Sequence, residues 1–288
     1  MNRNWVKIFE LFVAAGISLG FLYLFYKIVG FDKLIKFFTE LSFINIILAF
    51  FLYVLSYITR TIRWQITLSI KGFWKLFKIT SFNTVFNIFL PFRTGELSFF
   101  YMLKKENIPV SESALSFFSV RAFDGIALIT VFLVSYLIYS GYFLLSILVF
   151  ILMPFSFYVF KGILSFIKKD KIKNFKENVL TIKNIFSLYL LSIFTFIFKF
   201  TGFYLVLPPS INLSYIEAFI ASSAGDLTTI LPIHGLAGIG TYEGGYAGIL
   251  ILMGIDKESA LIASVFVHIF ILLGSALLGI FSFVFLRR

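Results

Sequence analysis

The 288-residue chain has no cysteine and only two histidines, His234 and His268. The first absence excludes disulfides, thiolate metal sites and a cysteine nucleophile. Two histidines among scattered carboxylates, with no H-E-x-x-H or related spacing, give no metal site. Charged residues are also scarce, 14% of the chain against about 25% in an ordinary soluble protein. A Walker loop, a G-x-S-x-G elbow and a nucleotide fingerprint are all missing, so neither a cofactor nor a catalytic residue is expected. Hydrophobic residues instead make up 60%, and Phe alone fills 41 positions. A soluble fold could not cover that much apolar surface, so the expected class is an all-α polytopic membrane protein.

Continuous apolar spans lie near residues 8–30, 43–63, 111–139, 142–160, 184–207 and 258–286, which predicts six full crossings. Between the second and third lies 75–105, and between the fifth and sixth lies 214–254. Each is apolar but is interrupted by Pro and Gly after about 16 residues, too short for a crossing. These are expected to be two re-entrant hairpins; two ordinary hairpins that cross fully are the alternative. The first span follows Arg3 and Lys7 as a signal peptide would, but it outruns an h-region and is read as a retained anchor. The whole of 1–288 is then one integral membrane domain.

The net charge of +11 speaks first of topology and anionic headgroups in such a chain, and nucleic acid is not an expected partner. With the N-terminus cytoplasmic, 19 of the 25 basic residues fall on that side: two at the start, eight in 60–105, seven in 161–183 and two at the end. The expected location is the cytoplasmic membrane with both termini inside. The order span, span, hairpin, span then repeats with every direction reversed, about 1–140 and about 142–288. That is the inverted-topology repeat of secondary transporters, whose substrate sites form near the midplane from broken helices.

Local sequence agrees. The first hairpin carries Pro91, Arg93, Thr94, Gly95 and Glu96; the second carries Pro232, Thr241 and Glu243, so each break has a Pro followed by Thr-x-Glu. The glutamates are offset by 147 residues, which also carries Arg121 onto His268, and an offset of 139 carries Arg60 onto Lys199. Unpaired backbone at such breaks must line protein or a water-filled cavity. Thr94 and Thr241 are candidate N-caps, with Glu96 and Glu243 in the first turn of the returning helix. The two glutamates are either structural charges there or cavity carboxylates.

Ionisable residues inside spans usually pair or face a pathway. Arg121 and Asp124, at i and i+3, are expected to pair. Arg93 is placed to meet Glu96 or a lipid phosphate. Arg60 and Arg63 end the second span, where Arg60 is the candidate for headgroup contact and Trp64 belongs to an interfacial belt. Lys199 either snorkels or pairs with Glu217 or Asp226. Lys199, Asp226, His234 and His268 are candidate gating or coupling residues. Gly235, Gly238 and Gly240 follow a helix rather than a strand and are read as tight packing at the hairpin tip.

At these residues the chain resembles the lysylphosphatidylglycerol synthase transmembrane-region family, also called flippase-like membrane proteins. The resemblance rests on Arg60-x-x-Arg63-Trp64, Asn87-x-x-x-Pro91-x-Arg93-x-Gly95-Glu96, Arg121-x-x-Asp124 and Pro232-x-x-Gly235-x-x-Gly238-x-Gly240-x-x-Glu243. The family is similar to the membrane half of bacterial multiple peptide resistance factors, which moves aminoacylated phosphatidylglycerol between leaflets. In those proteins a separate soluble domain makes the lipid; the 288 residues hold none, so translocation rather than synthesis is expected. The chain departs from the family pattern at Ile233-His234-Gly235-Leu236 and at His268, where the family often has arginine. The resemblance implies substrate contacts at Arg60, Arg63, Asn87, Arg93, Glu96, Arg121, Asp124 and Glu243. Expected partners are membrane lipids, an anionic phospholipid or a polyprenyl-phosphate-linked substrate, and a separate synthase. A headgroup-modifying enzyme and an accessory subunit of a synthase are the alternatives.

Overall fold

A computed structural model describes residues 3–68, 70, 72–89, 95–158, 162, 175, 177–229 and 234–286, with side chains from residue 11 onward. In the apolar part of a bilayer no water satisfies backbone groups, so an unpaired chain must close its hydrogen bonds within helices. The described elements accordingly are helices: α1 (Arg3–Ile28), α2 (Phe31–Phe38), α3 (Phe43–Thr67), α4 (Phe73–Phe89), α5 (Glu96–Lys105), α6 (Val110–Tyr139), α7 (Phe143–Leu152), α8 (Ile182–Leu205), α9 (Tyr215–Thr228), α10 (Thr241–Leu252) and α11 (Lys257–Phe285). No strand occurs among the described residues.

Five of these helices, α1, α3, α6, α8 and α11, are long and apolar enough to cross a membrane. The sequence predicts six. The difference is 142–160, whose described part is the shorter apolar stretch Phe143–Tyr158. There Pro154, which has no N–H to continue the ladder, sits in a 3-10 turn, Met153–Phe155, right after α7. A second difference is α2, an eight-residue helix with no buried residue that fills what reads as the loop after the first span. Its Lys33 pairs with Glu258 at the start of α11 at 2.8 Å.

The segments interrupted by Pro and Gly are pairs of short helices. With 17, 10, 14 and 12 residues, α4, α5, α9 and α10 extend about 25, 15, 21 and 18 Å at 1.5 Å per residue. Each falls short of a ~30 Å hydrocarbon core.

Helix boundaries follow the offsets seen in the sequence. Ser42 caps α3 by accepting from the Asn45 N–H, and Thr181, 139 positions on, caps α8 by accepting from the Asn184 N–H. An offset of 147 carries the start of α6 at Val110 onto the start of α11 at Lys257. Packing corresponds in the same way. The most extensive contact joins α3 to α8; α6 packs on α9, and α11 packs on α4. α3 and α8 run antiparallel, with Gly202 against the Ala49 carbonyl at one end, the Thr59–Thr195 hydroxyl pair at 2.7 Å farther along, and Arg63 on Ser192 at 2.6 Å beyond that. Gly202 allows this close approach, since a Cβ there would stand 3.0 Å from that carbonyl oxygen, tighter than an ordinary contact.

The larger apolar core surrounds this crossing and includes Tyr53, Tyr57, Phe200, Phe203 and Tyr246. A smaller one gathers Trp64, Leu76, Phe99, Leu103 and Phe117 between α3, α4, α5 and α6. Trp64 is therefore a core residue, 4.5 Å from the Phe99 ring, rather than part of an interfacial belt. Its indole lies under the α5 helix that the break returns, and this covers it.

Candidate functional site

Both pairs of short helices open onto one cavity of about 490 Å3. Its wall is made by α3, α4, α6, α8, α9 and α11, by Glu96 at the start of α5, by the turn before α10 and by Tyr242 of α10. Arg60 and Arg63 enter it from α3, Asn87 from α4, Arg121 and Asp124 from α6, Lys199 from α8, Asp226 from α9 and His268 from α11. His234, Gly235 and Gly238 line it from the second tip. Residues as far apart in sequence as Arg60 and His268, 208 positions, thus share one chamber. Pro91, Arg93, Thr94 and Pro232 lie outside the described residues.

Charges in the chamber pair across helices. Arg63, 1% exposed, is bonded to Asp124 of α6 and to Ser192 of α8. Arg121 is bonded to Glu96 of α5 at 3.3 Å. The expected Arg121–Asp124 pair within α6 is thereby corrected: a partner on a neighbouring helix removes the cost of both charges and also fixes the helices, which an i, i+3 pair cannot do. Lys199 meets Asp226 at 2.5 Å. This settles its partner, since Glu217 instead closes a capping box with Ser214 at the start of α9.

Four cations, Arg60, Arg63, Arg121 and Lys199, thus face three carboxylates, Asp124, Glu96 and Asp226. The cation left over is Arg60. It is half-buried, its guanidinium lies 5.6 Å from the Tyr57 ring centroid, and among the described residues no carboxylate pairs with it. Buried donors without acceptors add to it: Arg63 Nε and Arg121 Nε. Guanidinium groups with free N–H are suited to a phosphate oxygen.

Glu243 does not line the chamber but is buried behind it. Its Oε2 accepts from the Gly240 N–H at 2.7 Å and its Oε1 lies 2.6 Å from His268 Nδ1. The caps differ from expectation as a result. Gly240, not Thr241, precedes α10, and Glu243 reaches back to satisfy its N–H; Thr241 is the first helical residue and donates to the Gly238 carbonyl. α5 begins behind Gly95 without a side-chain cap.

Glycines close both tips. A Cβ on Gly95 would fall 2.2 Å from the Phe86 carbonyl carbon, and one on Gly235 would fall 1.8 Å from the Ile239 carbonyl oxygen. The Gly95 carbonyl accepts from Asn83 Nδ2 at 3.3 Å, and Asn87 in turn donates to Asn83. α1 clasps the second tip. Ser18 accepts from the Leu236 N–H at 2.8 Å and donates to the Ile239 carbonyl at 3.2 Å, while Gly240 lets Ile17 approach.

Several wall residues escape a reading based on charge: Thr80, Asn83 and Thr84 on α4, Tyr53 on α3, and Tyr242 on α10. The α4 set had a signal. Thr80, Asn83, Thr84 and Asn87 follow an i, i+3, i+4, i+7 stripe on one face of an apolar helix. Among the described residues no group of three or more His, Asp or Glu could hold a metal.

The sequence fits the family model described as lysylphosphatidylglycerol synthase TM region over residues 11–279. The chain belongs to that family, whose members are membrane proteins of lipid modification or translocation. No curated protein and no solved structure matches it.

Proposed function

From this family membership we propose that the chain is a flippase-like translocase that moves an anionic phospholipid, an aminoacyl-phospholipid or a lipid-linked headgroup between leaflets. The observation that carries the reading is the unbalanced chamber, in which Arg60 is the cation left without a carboxylate among the described residues. A lipid phosphate takes that place, held by Arg60 and by the partly exposed guanidinium of Arg121, while the acyl chains stay in the bilayer. Arg93, beside the first break in sequence, would join them. Asp124, Glu96 and Asp226 keep the other cations from trapping the anion too tightly to release it.

In this reading the chain is an inverted repeat in the cytoplasmic membrane with both termini inside. The first repeat comprises α1, α3, α4–α5 and α6, and the second comprises α7, α8, α9–α10 and α11. The shared offsets and the corresponding packing of α6 on α9 and α11 on α4 support it. The two short-helix pairs are re-entrant, and one repeat rocks on the other about the antiparallel α3–α8 crossing.

Reconstitution tests the function. Vesicles holding the protein and a fluorescent phosphatidylglycerol, aminoacyl-phosphatidylglycerol or polyprenyl phosphate are treated with a membrane-impermeant quencher. Movement of at least one probe is expected in the wild type, with a loss of tenfold or more, about 1.4 kcal/mol, in Arg60→Gln. No movement of any probe, or equal movement by Arg60→Gln, overturns the reading. Mass spectrometry of the same lipids is expected to show unchanged masses; a covalent product would mark a headgroup-modifying enzyme instead.

A further inference from the structure

His268 lies midway along α11 and is 5% exposed; Glu243, in the first turn of α10, is 3% exposed. Nε2 of the imidazole stands 3.0 Å from the Ala237 carbonyl oxygen and Nδ1 stands 2.6 Å from Glu243 Oε1. A carbonyl oxygen can only accept, so Nε2 carries a hydrogen. The hydrogen of the second bond then belongs either to an imidazolium Nδ1 or to a protonated Glu243. In both forms the pair holds one proton more than a neutral imidazole beside a carboxylate. Without that proton the Nδ1 lone pair faces a carboxylate oxygen at hydrogen-bonding distance in a buried site, and the contact has to open.

That contact carries a mechanical load. Ala237, Gly238 and Gly240 have φ values of 52°, 84° and 90°, left-handed backbone that strains a residue with a Cβ. The same imidazole holds the Ala237 carbonyl, and the other oxygen of Glu243 holds the Gly240 N–H. The proton between Nδ1 and Glu243 therefore fastens the Gly240 side of the second tip to α11, while the Nε2 hydrogen holds the Ala237 side. The site is also reachable, because His268, Ala237, Gly238 and Tyr242 all line the chamber.

We propose that the Glu243–His268 pair is the coupling-proton site of the protein. A proton arriving from the chamber closes the Gly240 side of the second tip onto α11, and its departure to the chamber frees that side, so that headgroup passage and proton passage are linked. The coupling rests on the translocation reading; the proton site does not.

Several elements present titratable or charged groups towards the pair. On the wall it shares with other elements stand Tyr242 of α10, with its ring centroid 5.1 Å from the imidazole, Tyr53 of α3, Lys199 of α8, Asp226 of α9 and His234 before the tip turn. Lys199 and Asp226 neutralise each other. Across the chamber, α6 contributes Arg121 and Asp124 and α3 contributes Arg60 and Arg63; α4 contributes no titratable side chain to that wall among the described residues. At the 147-residue offset the first repeat places Arg121 on Glu96. A guanidinium keeps its charge across the physiological range, so that tip has no equivalent release.

Two measurements on the full chain test the proposal. The first is ring-nitrogen NMR of isotope-labelled histidine in nanodiscs of phosphatidylglycerol and phosphatidylethanolamine, with His234→Asn assigning the His268 signals. Nε2 should stay protonated throughout, Nδ1 should lose its proton as pH rises, and Glu243→Gln should move that loss to lower pH. An unprotonated Nε2, or an Nδ1 whose titration ignores Glu243→Gln, overturns the site. The second uses vesicles of the same lipids with fluorescent phosphatidylglycerol and an enclosed pH dye. An imposed pH gradient should change lipid movement severalfold in the wild type and leave His268→Arg, which borrows the chemistry of the first tip, without that response. Equal gradient responses overturn the coupling while lipid movement stands. Absence of lipid movement in every variant beside an intact titration overturns the coupling together with the translocation reading and supports the proton site.

Discussion

The two short-helix pairs tie their returning helix to the next long helix at equivalent positions, but with different chemistry. In the first, Arg121 of α6 holds Glu96 of α5 at 3.3 Å, with side chains 38% and 26% exposed. In the second, His268 of α11 holds Glu243 of α10 at 2.6 Å, with side chains 6% and 4% exposed. A guanidinium has five donors and a permanent charge, so it keeps water or ligand around it and stays open to the chamber. An imidazole has two ring nitrogens, and here the carbonyl of Ala237 and the carboxylate of Glu243 occupy both. The arginine tie leaves donors over for a ligand, and the histidine tie leaves none. In the proposed reading one tip holds a headgroup and the other holds a proton.

What the two tips share is steric, and breaking it should have the largest effect. Gly95→Ala and Gly235→Ala each place a methyl inside the distance of backbone atoms that cannot move away independently. Each should destabilise the protein by about 3 kcal/mol or more, read as a lower thermal midpoint by tryptophan fluorescence in detergent. Gly244→Ala, in α10 with open space at its Cβ, is the control. It should be neutral or stabilising by about 0.5–1 kcal/mol. If only one tip glycine proved sensitive, the two breaks would not be equivalent constructions.

Next in size is the difference between the ties. Glu243→Ala strips a buried ring of its partner and also orphans the Gly240 N–H, a loss of about 3 kcal/mol. Glu96→Ala leaves Arg121 partly solvated, and about 1 kcal/mol is expected. The same thermal midpoints measure both, and equal losses would remove the distinction between an open and a closed tie.

Much of the architecture was legible because the bilayer makes polarity expensive. α3, α6, α8 and α11 are long apolar runs with a polar residue at the edge, and Arg60, Arg121, Lys199 and His268 stand out where an apolar helix has no other reason to carry charge. Who pairs with whom was legible only in part: Asp226 was one of two candidate partners for Lys199, but the arginine pairs were not foreseen. Asp124 lies one turn from Arg121 in sequence, yet it is bonded to Arg63, because antiparallel packing of α3 and α8 beside α6 brings a buried guanidinium there. The Ala237 carbonyl that fixes the tautomer of His268 is also invisible in sequence, since it depends on a left-handed turn at a residue other than glycine. The described part of the 142–160 run is shorter than its composition suggests, and Pro154 falls inside it.

Moving the chemistry of one tip to the other sharpens the comparison with a smaller effect. The chain lacks cysteine, so a Thr84→Cys probe on the chamber wall reports access by its rate of maleimide labelling relative to the same variant unfolded in denaturant at the same pH, which cancels the rise in thiolate. With Arg121 intact that rate should vary little near neutral pH. Arg121→His should make it rise severalfold as pH rises, because the new imidazole holds Glu96 only while protonated. A flat profile in Arg121→His would mean that the Arg121 tie does not govern access to the chamber.

The smallest expected effect lies at the ends of the same two long helices. Asp256, before α11, accepts from the Ser259 N–H at 2.8 Å. Pro109, the equivalent residue before α6 at the offset of 147, offers no side-chain cap. Asp256→Ala should cost about 1 kcal/mol and Pro109→Ala within about 0.5 kcal/mol. The backbone and hydroxyl bonds from Ser259 hold the Asp256 carboxyl below its ordinary range. Its contribution is therefore complete above the ordinary carboxylate value and fades as pH falls through the lowered one, where the carboxyl becomes neutral. The gap in thermal midpoint between the wild type and Asp256→Ala should accordingly narrow in acid, while the gap for Pro109→Ala stays constant. A gap that persisted in acid would assign the α11 cap to packing rather than to charge and would make the two helix starts alike.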